Sequence, residues 1–145
     1  MIAVRFVDTN IALYAVSPLP EELDKRSIAL ELIDGGDLAL SAQVLQEFYT
    51  QATRDRGPWQ MTHDEAVGFI TTHLLRFPVQ DITLGLVHDA FALRARFGLN
   101  YWDCAILGAA RLLGCDAVYS EDMSDTQDYD GLRVINPFAN LPQPA

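Results

Sequence analysis

Hydrophobic positions recur along the chain in two registers. Short apolar runs rich in β-branched residues read as strands, and longer stretches with apolar positions three and four apart read as helices. The first run, IAVRFV at residues 2–7, stops at Asp8-Thr9-Asn10, the form of a buried strand passing into a helix-starting turn. After Pro18-Leu19-Pro20 a helical pattern runs from about Glu21 to Asp34 and ends at Gly35-Gly36. DLAL at 37–40 makes a second strand. Ser41 then stands where an N-cap is needed for a helix to about Arg54, broken by Arg56-Gly57-Pro58. Thr62-x-x-Glu65 has capping-box form and opens a helix toward Leu75, while Phe77-Pro78-Val79 allows a brief strand or turn. Helices from about Thr83 to Phe97 and from about Tyr101 to Leu113 end at Gly98 and Gly114, and strands at Asp116–Tyr119 and Leu132–Ile135 complete the pattern.

Separated short strands joined by helical crossovers are the signature of an α/β fold. The expected architecture is three-layered, a short mostly parallel sheet of about four to five strands flanked by helices. Residues 1–139 read as one domain and 140–145 as a short C-terminal tail, with no internal repeat or low-complexity tract.

Composition narrows the function classes. With 145 residues, 50% hydrophobic and 21% charged, the chain can bury a sizeable core and is not of a disordered class. No stretch approaches the length of a membrane span, and the opening apolar run meets Asp8 too early for a signal peptide, so a cytoplasmic protein is expected. Cys104 and Cys115 lack metal or redox spacing and read as reduced, packed thiols. A net charge of −10 argues against non-specific coating of DNA, which depends on Lys and Arg set against phosphates. Acidity does not exclude a nucleic-acid substrate when carboxylates converge on divalent ions.

Four carboxylates stand out by position. Asp103 lies in YWDCAILGAARLLG, where about 100° per residue puts it beside Ile106, Leu107 and Ala110, a costly place for a lone charge. Asn100 as N-cap with Asp103 three residues on is the purely structural alternative. Glu47 falls at the edge of the apolar stripe of its helix, too deep for a cap, and solvation explains it equally well. Asp8 ends the first strand and Asp122 follows another, in Ser120-Glu121-Asp122; both can face the crevice at the strand ends or simply cap turns. Glu121 is the alternative to Asp122. Oxygen donors of this kind suit Mg²⁺ or Mn²⁺, whereas His63, His73 and His88 are dispersed without zinc spacing. No nucleophile elbow or Gly-rich phosphate loop is present.

FVDTNIALYA, SAQVLQEFYTQATR, YWDCAILGAARLLGCDAVYSEDM and LRVINPF, in this order, resemble the successive motifs of the PIN-domain family, and in particular VapC-like toxins of bacterial toxin–antitoxin pairs. The likeness covers nearly the whole chain; Ser-Glu-Asp stands where Thr-x-Asp is frequent. The resemblance implies an endonuclease directed at single-stranded RNA, with one or two Mg²⁺ or Mn²⁺ ions held at Asp8, Glu47, Asp103 and Asp122, and with 5′-phosphate and 3′-hydroxyl products. It matches Thr9, Asn10 and Ser120 to small polar positions that hydrogen-bond the ligating carboxylates. It further implies a homodimer and a small antitoxin that covers the pocket. Arg54, Arg56 and Trp59, in RDRGPWQ, are candidates for phosphate contact and base stacking, though Trp59 anchored in the core is the plainer reading. A catalytically silent RNA-binding or regulatory protein of the same fold is the alternative function.

Overall fold

A computed structural model describes residues 4–142. Strands Arg5–Val7 (β1), Leu38–Ser41 (β2), Val79–Gln80 (β3), Ala117–Tyr119 (β4), Asp128–Tyr129 (β5) and Leu132–Ile135 (β6) form one sheet. The helices are Thr9–Ala15 (α1), Leu23–Gly35 (α2), Ala42–Ala52 (α3), His63–Phe69 (α4), Leu84–Phe97 (α5) and Tyr101–Leu112 (α6). A 3₁₀ turn, Pro20–Glu22, leads into α2, and a π-helical turn, Ile70–Leu74, extends α4.

The sheet order is β3-β2-β1-β4-β6-β5, parallel throughout except for the β5–β6 pair. The α/β architecture expected from the pattern of strands and crossovers is the one observed. The sheet is wider than expected because it gains two-residue strands. β3 realises the brief element after Phe77-Pro78, and β5 forms through a hairpin. Asp130 and Gly131 at the hairpin tip both have positive φ, 58° and 90°, which is the type I′ geometry that Asp-Gly favours. The start of β1 at Arg5 leaves residues 2 and 3 of the expected strand outside the described residues.

Local signals placed the helices well. Ser41 accepts from the Val44 amide, Thr62 and Glu65 form a reciprocal capping box, and Thr83 accepts from the Leu86 amide. Gly98 closes α5 in the left-handed region at φ 73°, where a side chain would be strained. Gly108 of α6 serves another purpose: a Cβ there would lie 3.1 Å from Leu86, so its absence lets α5 pack closely on α6.

The core is continuous. Phe6, Ile11, Ile33, Leu40, Phe48, Ile106, Leu107 and Val118 are all essentially inaccessible to solvent. α6 packs across β2, β3, β4 and β6, α5 lies on α6, and α1 packs against α2 and α3. Cys104 is buried, Cys115 is half-buried, and both are free thiols. Of the expected tail, Leu141 still packs against the core, and 143–145 lie outside the described residues. Among the described residues no helix is long and apolar enough to cross a membrane.

Candidate active site

β1 and β4 lie side by side at the centre of the sheet, with β2 beyond one and β6 beyond the other. A switch of this kind leaves a crevice at the carboxyl ends of the two strands. Asp8 follows β1, and Ser120-Glu121-Asp122 follow β4. The pairing carries on past the strands, since the Asp8 amide donates to the Tyr119 carbonyl at 2.9 Å and the Ser120 amide to the Ile135 carbonyl at 3.0 Å. α3 and α6 bring Glu47 and Asp103 to the same opening. Asp8, Glu47, Asp103 and Asp122 all line one small pocket of about 110 Å³.

Asp8 is the buried member, with 7% of its surface exposed. It caps α1, accepting the Thr9 amide on Oδ1 at 2.8 Å, and takes the Ser120 hydroxyl on Oδ2 at 2.7 Å. Asn10 donates from Nδ2 to Asp122 at 3.0 Å and more weakly to Asp8 at 3.5 Å, so one amide ties both strand-end acids together. Burial pushes the Asp8 carboxyl up to about 6. The Ser120 and Thr9 hydrogen bonds oppose that rise, and the charges of Asp122 and Asp103 add to it.

Asp103 satisfies both readings offered by the sequence. Its amide donates to Asn100 Oδ1 at 2.9 Å, which is the N-cap of α6, and its Oδ2 accepts the Asn100 side-chain amide at 2.8 Å. The cap therefore orients the acid toward the pocket. Burial raises its pKa, partly offset by the Asn100 bond and reinforced by Asp122. Glu47 is held by Gln43, one helical turn earlier, through Nε2 to Oε1 at 2.8 Å.

A common pattern emerges. Asp122, Asp103 and Glu47 each have one oxygen held by a neutral amide, from Asn10, Asn100 and Gln43. Their other oxygens make no side-chain hydrogen bond among the described residues. No lysine or arginine lines the pocket, and both ion pairs among the described residues, Lys25–Glu121 and Arg96–Asp130, lie elsewhere. The negative charge is thus collected and left uncompensated. No three of these acids already converge closely enough to enclose an ion by themselves, so the pocket is an open, shared arrangement. Carboxylate oxygens suit Mg²⁺ or Mn²⁺, so these side chains could hold such an ion only with water or other oxygens completing its shell.

The remaining sequence candidates separate clearly. Glu121 turns away from the pocket: it accepts from Tyr14 Oη at 2.5 Å and pairs with Lys25 Nζ at 2.6 Å, fastening its loop to α1 and α2. Asp122 is therefore the fourth acid of the pocket. Thr9 holds Asp8 through its backbone, while its buried hydroxyl has no partner, a polar atom left over at the pocket wall. Arg54 and Arg56 are exposed and outside the pocket wall. Trp59 is half-buried, lies outside the pocket wall and donates its indole N–H to the Leu13 carbonyl at 2.9 Å, the anchoring contact of the plainer reading. Sequence reasoning missed Gln43, Gln51 and Trp102 on the pocket wall. Gln43 was within reach, since a residue four before Glu47 shares its helix face.

Comparison with known proteins decides the family. A model of the PIN domain matches residues 5–128. The chain belongs to the PIN-domain family. No curated protein matches it in sequence. Among solved structures, this PIN domain is similar to a toxin–antitoxin complex from Klebsiella pneumoniae, at 21% identity and TM-score 0.67, covering 92% of this chain and 97% of the other. It is also similar to VapC20, a Sarcin-Ricin loop cleaving toxin of Mycobacterium tuberculosis, at 21% identity and TM-score 0.62, covering 81% and 89%. A third is VapBC2 of Rickettsia felis bound to a promoter DNA fragment, at 17% identity and TM-score 0.63, covering 90% and 96%. At these identities the likeness establishes that the PIN fold is shared.

Proposed function

We propose that this PIN domain is a divalent-metal-dependent endoribonuclease, the toxin of a toxin–antitoxin pair. The observation that carries the reading is the pocket itself: four acids at the strand ends and on two helices, three of them held by neutral amides, with no cation to balance them. An acidic cluster that served stability alone would be neutralised by Lys or Arg, because uncompensated charge at a partly buried site costs free energy. Asp8, Glu47, Asp103 and Asp122 would hold one or two Mg²⁺ or Mn²⁺ ions. When bound, such an ion supplies Lewis-acid stabilisation of charge on a phosphate and acidifies water for attack.

The protein's own groups do the positioning. Ser120 and the Thr9 amide fix Asp8, Asn10 spaces Asp122 from it, and Asn100 and Gln43 orient the two helix-borne acids. The partnerless Thr9 hydroxyl is available to a water or a phosphate oxygen. The pocket wall holds no Ser, Cys or His, and Thr9, the one hydroxyl on it, has no histidine base beside it, which agrees with hydrolysis by water. RNA as substrate is supported by the Sarcin-Ricin loop cleaving activity named for one structural relative, and an antitoxin partner by the toxin–antitoxin complexes named for others. A homodimer is also proposed, with exposed Leu84 and Phe91 on α5 as apolar surface for a second copy to cover.

The test is cleavage of total RNA by the purified chain with Mg²⁺ or with chelator, Asp103→Asn alongside. Cleavage that requires Mg²⁺ and is lost in the variant is expected. Cleavage in chelator, or full activity in Asp103→Asn, rejects the reading in favour of another mechanism or a contaminant. RNA binding without any cleavage at millimolar Mg²⁺ supports the catalytically silent alternative.

A further inference from the structure

We infer that Trp102 is the residue on which this protein stacks an unpaired base of its RNA, beside the acidic pocket. The inference rests on the endoribonuclease reading above and adds a specificity-determining contact to it. The pocket wall contains acids, amides and apolar groups but no Lys or Arg. Backbone phosphates therefore meet no cationic side chain at the site, and the usual electrostatic source of nucleic-acid affinity is missing there. Bases offer the alternative, because every base has a face that stacks on an aromatic ring whatever its sequence.

Trp102 is placed for this. It lines the pocket immediately before Asp103 on α6, and 64% of its surface is exposed, unusual for the residue type that is among the most buried on average. Its backbone is tied to the site, since Gln43, which holds Glu47, also reaches the Trp102 carbonyl at 3.4 Å. The ring is supported from one side by Tyr101, edge to face at 5.1 Å. Trp59, the other tryptophan, holds the Leu13 carbonyl and does not line the pocket.

The inference commits to single-stranded RNA; a second copy of this chain, for which the neighbouring Phe91 is also exposed, is the competing occupant. The experiment compares the parent, Trp102→Ala and Trp102→Phe on a short single-stranded oligoribonucleotide. Steady-state cleavage is followed in Mg²⁺, binding by anisotropy in chelator, and mass by light scattering. For Trp102→Ala the expected result is KM or Kd raised on the order of 10- to 100-fold with kcat within about threefold, as one base stack is worth. Trp102→Phe restores most of it. An abasic nucleotide next to the cleavage site raises the parent's KM by a similar factor and adds nothing further in Trp102→Ala. The parent's affinity also falls only weakly with salt. Cleavage with KM unchanged in Trp102→Ala overturns the stacking role and leaves the nuclease reading intact. A change of mass with unchanged KM overturns it in favour of contact between copies. Absence of both cleavage and binding in the parent overturns both readings.

Discussion

Ser120 and Asp8 join the two central strands through a buried hydrogen bond of 2.7 Å from the serine hydroxyl to Asp8 Oδ2. The bond links positions 112 residues apart and sets the acid at the mouth of the crevice between β1 and β4. It also favours the charged form of a carboxyl whose pKa burial raises. Ser120→Ala should cost about 1.5–3 kcal/mol of stability, the range for a hydrogen bond to a charged group, measured by urea unfolding in chelator. Cleavage should fall on the order of 10- to 100-fold, as for other residues that orient ligating carboxylates. Unchanged stability and activity would show that the bond orients nothing.

Asp8 predicts an inverse dependence of stability on pH when no divalent ion is bound. Its carboxyl is raised from 3.8 in the unfolded chain to about 6 in the folded protein. Between these values the folded state holds more protons than the unfolded one, so this group's contribution to stability falls as pH rises through that window and is fully lost above it. The penalty at neutral pH is on the order of 3 kcal/mol. Asp8→Asn should therefore be more stable than the parent in chelator at about pH 7.5, by roughly 1–3 kcal/mol after allowing for altered hydrogen bonds. The difference should shrink as pH is lowered toward about 4. Denaturant unfolding at the two pH values checks the sign.

Glu121 and Asp122 are adjacent in sequence and opposite in role. Glu121→Gln should retain cleavage within about threefold and lose about 1 kcal/mol of stability, since the Lys25–Glu121 pair is only partly shielded from water. Asp122→Asn should lower cleavage about 100-fold or more with little effect on folding. Kinetics and melting of the two variants together test the assignment, and the reverse pattern would restore Glu121 as the fourth acid.

Trp59→Phe removes the indole donor to the Leu13 carbonyl and leaves that oxygen with the Val16 amide alone. A loss of about 0.5–1.5 kcal/mol is expected, with KM for RNA unchanged. A selective rise in KM would return Trp59 to the RNA-binding surface.

Much of this molecule was legible in its sequence. The N-caps at Ser41, Thr62 and Thr83, the stop at Gly98 and the apolar strands follow from local rules that the fold does not override. So the order of elements and the α/β class could be read directly. β5 was not, because a two-residue strand has no periodicity, although the Asp130-Gly131 turn that makes it was visible. The four acids could be named, but their common pocket depends on the sheet order, which local pattern does not contain. For the same reason the sequence did not distinguish the surroundings of Trp59 from those of Trp102. Exposure of a tryptophan is a property of packing: Trp102 lies on an apolar helix and faces out, while Trp59 lies in a loop and points in.

The uncompensated acids are proposed to form a divalent-ion site at which RNA is hydrolysed. It is tested most directly by the cleavage rate of one single-stranded oligoribonucleotide as Mg²⁺ is titrated from chelator to millimolar concentration, with the parent and Asp8→Asn measured side by side. The expected rate rises from background and saturates in the parent, and stays at least about 100-fold lower at every concentration in Asp8→Asn. A parent rate independent of Mg²⁺, or an Asp8→Asn rate equal to the parent's, would contradict it.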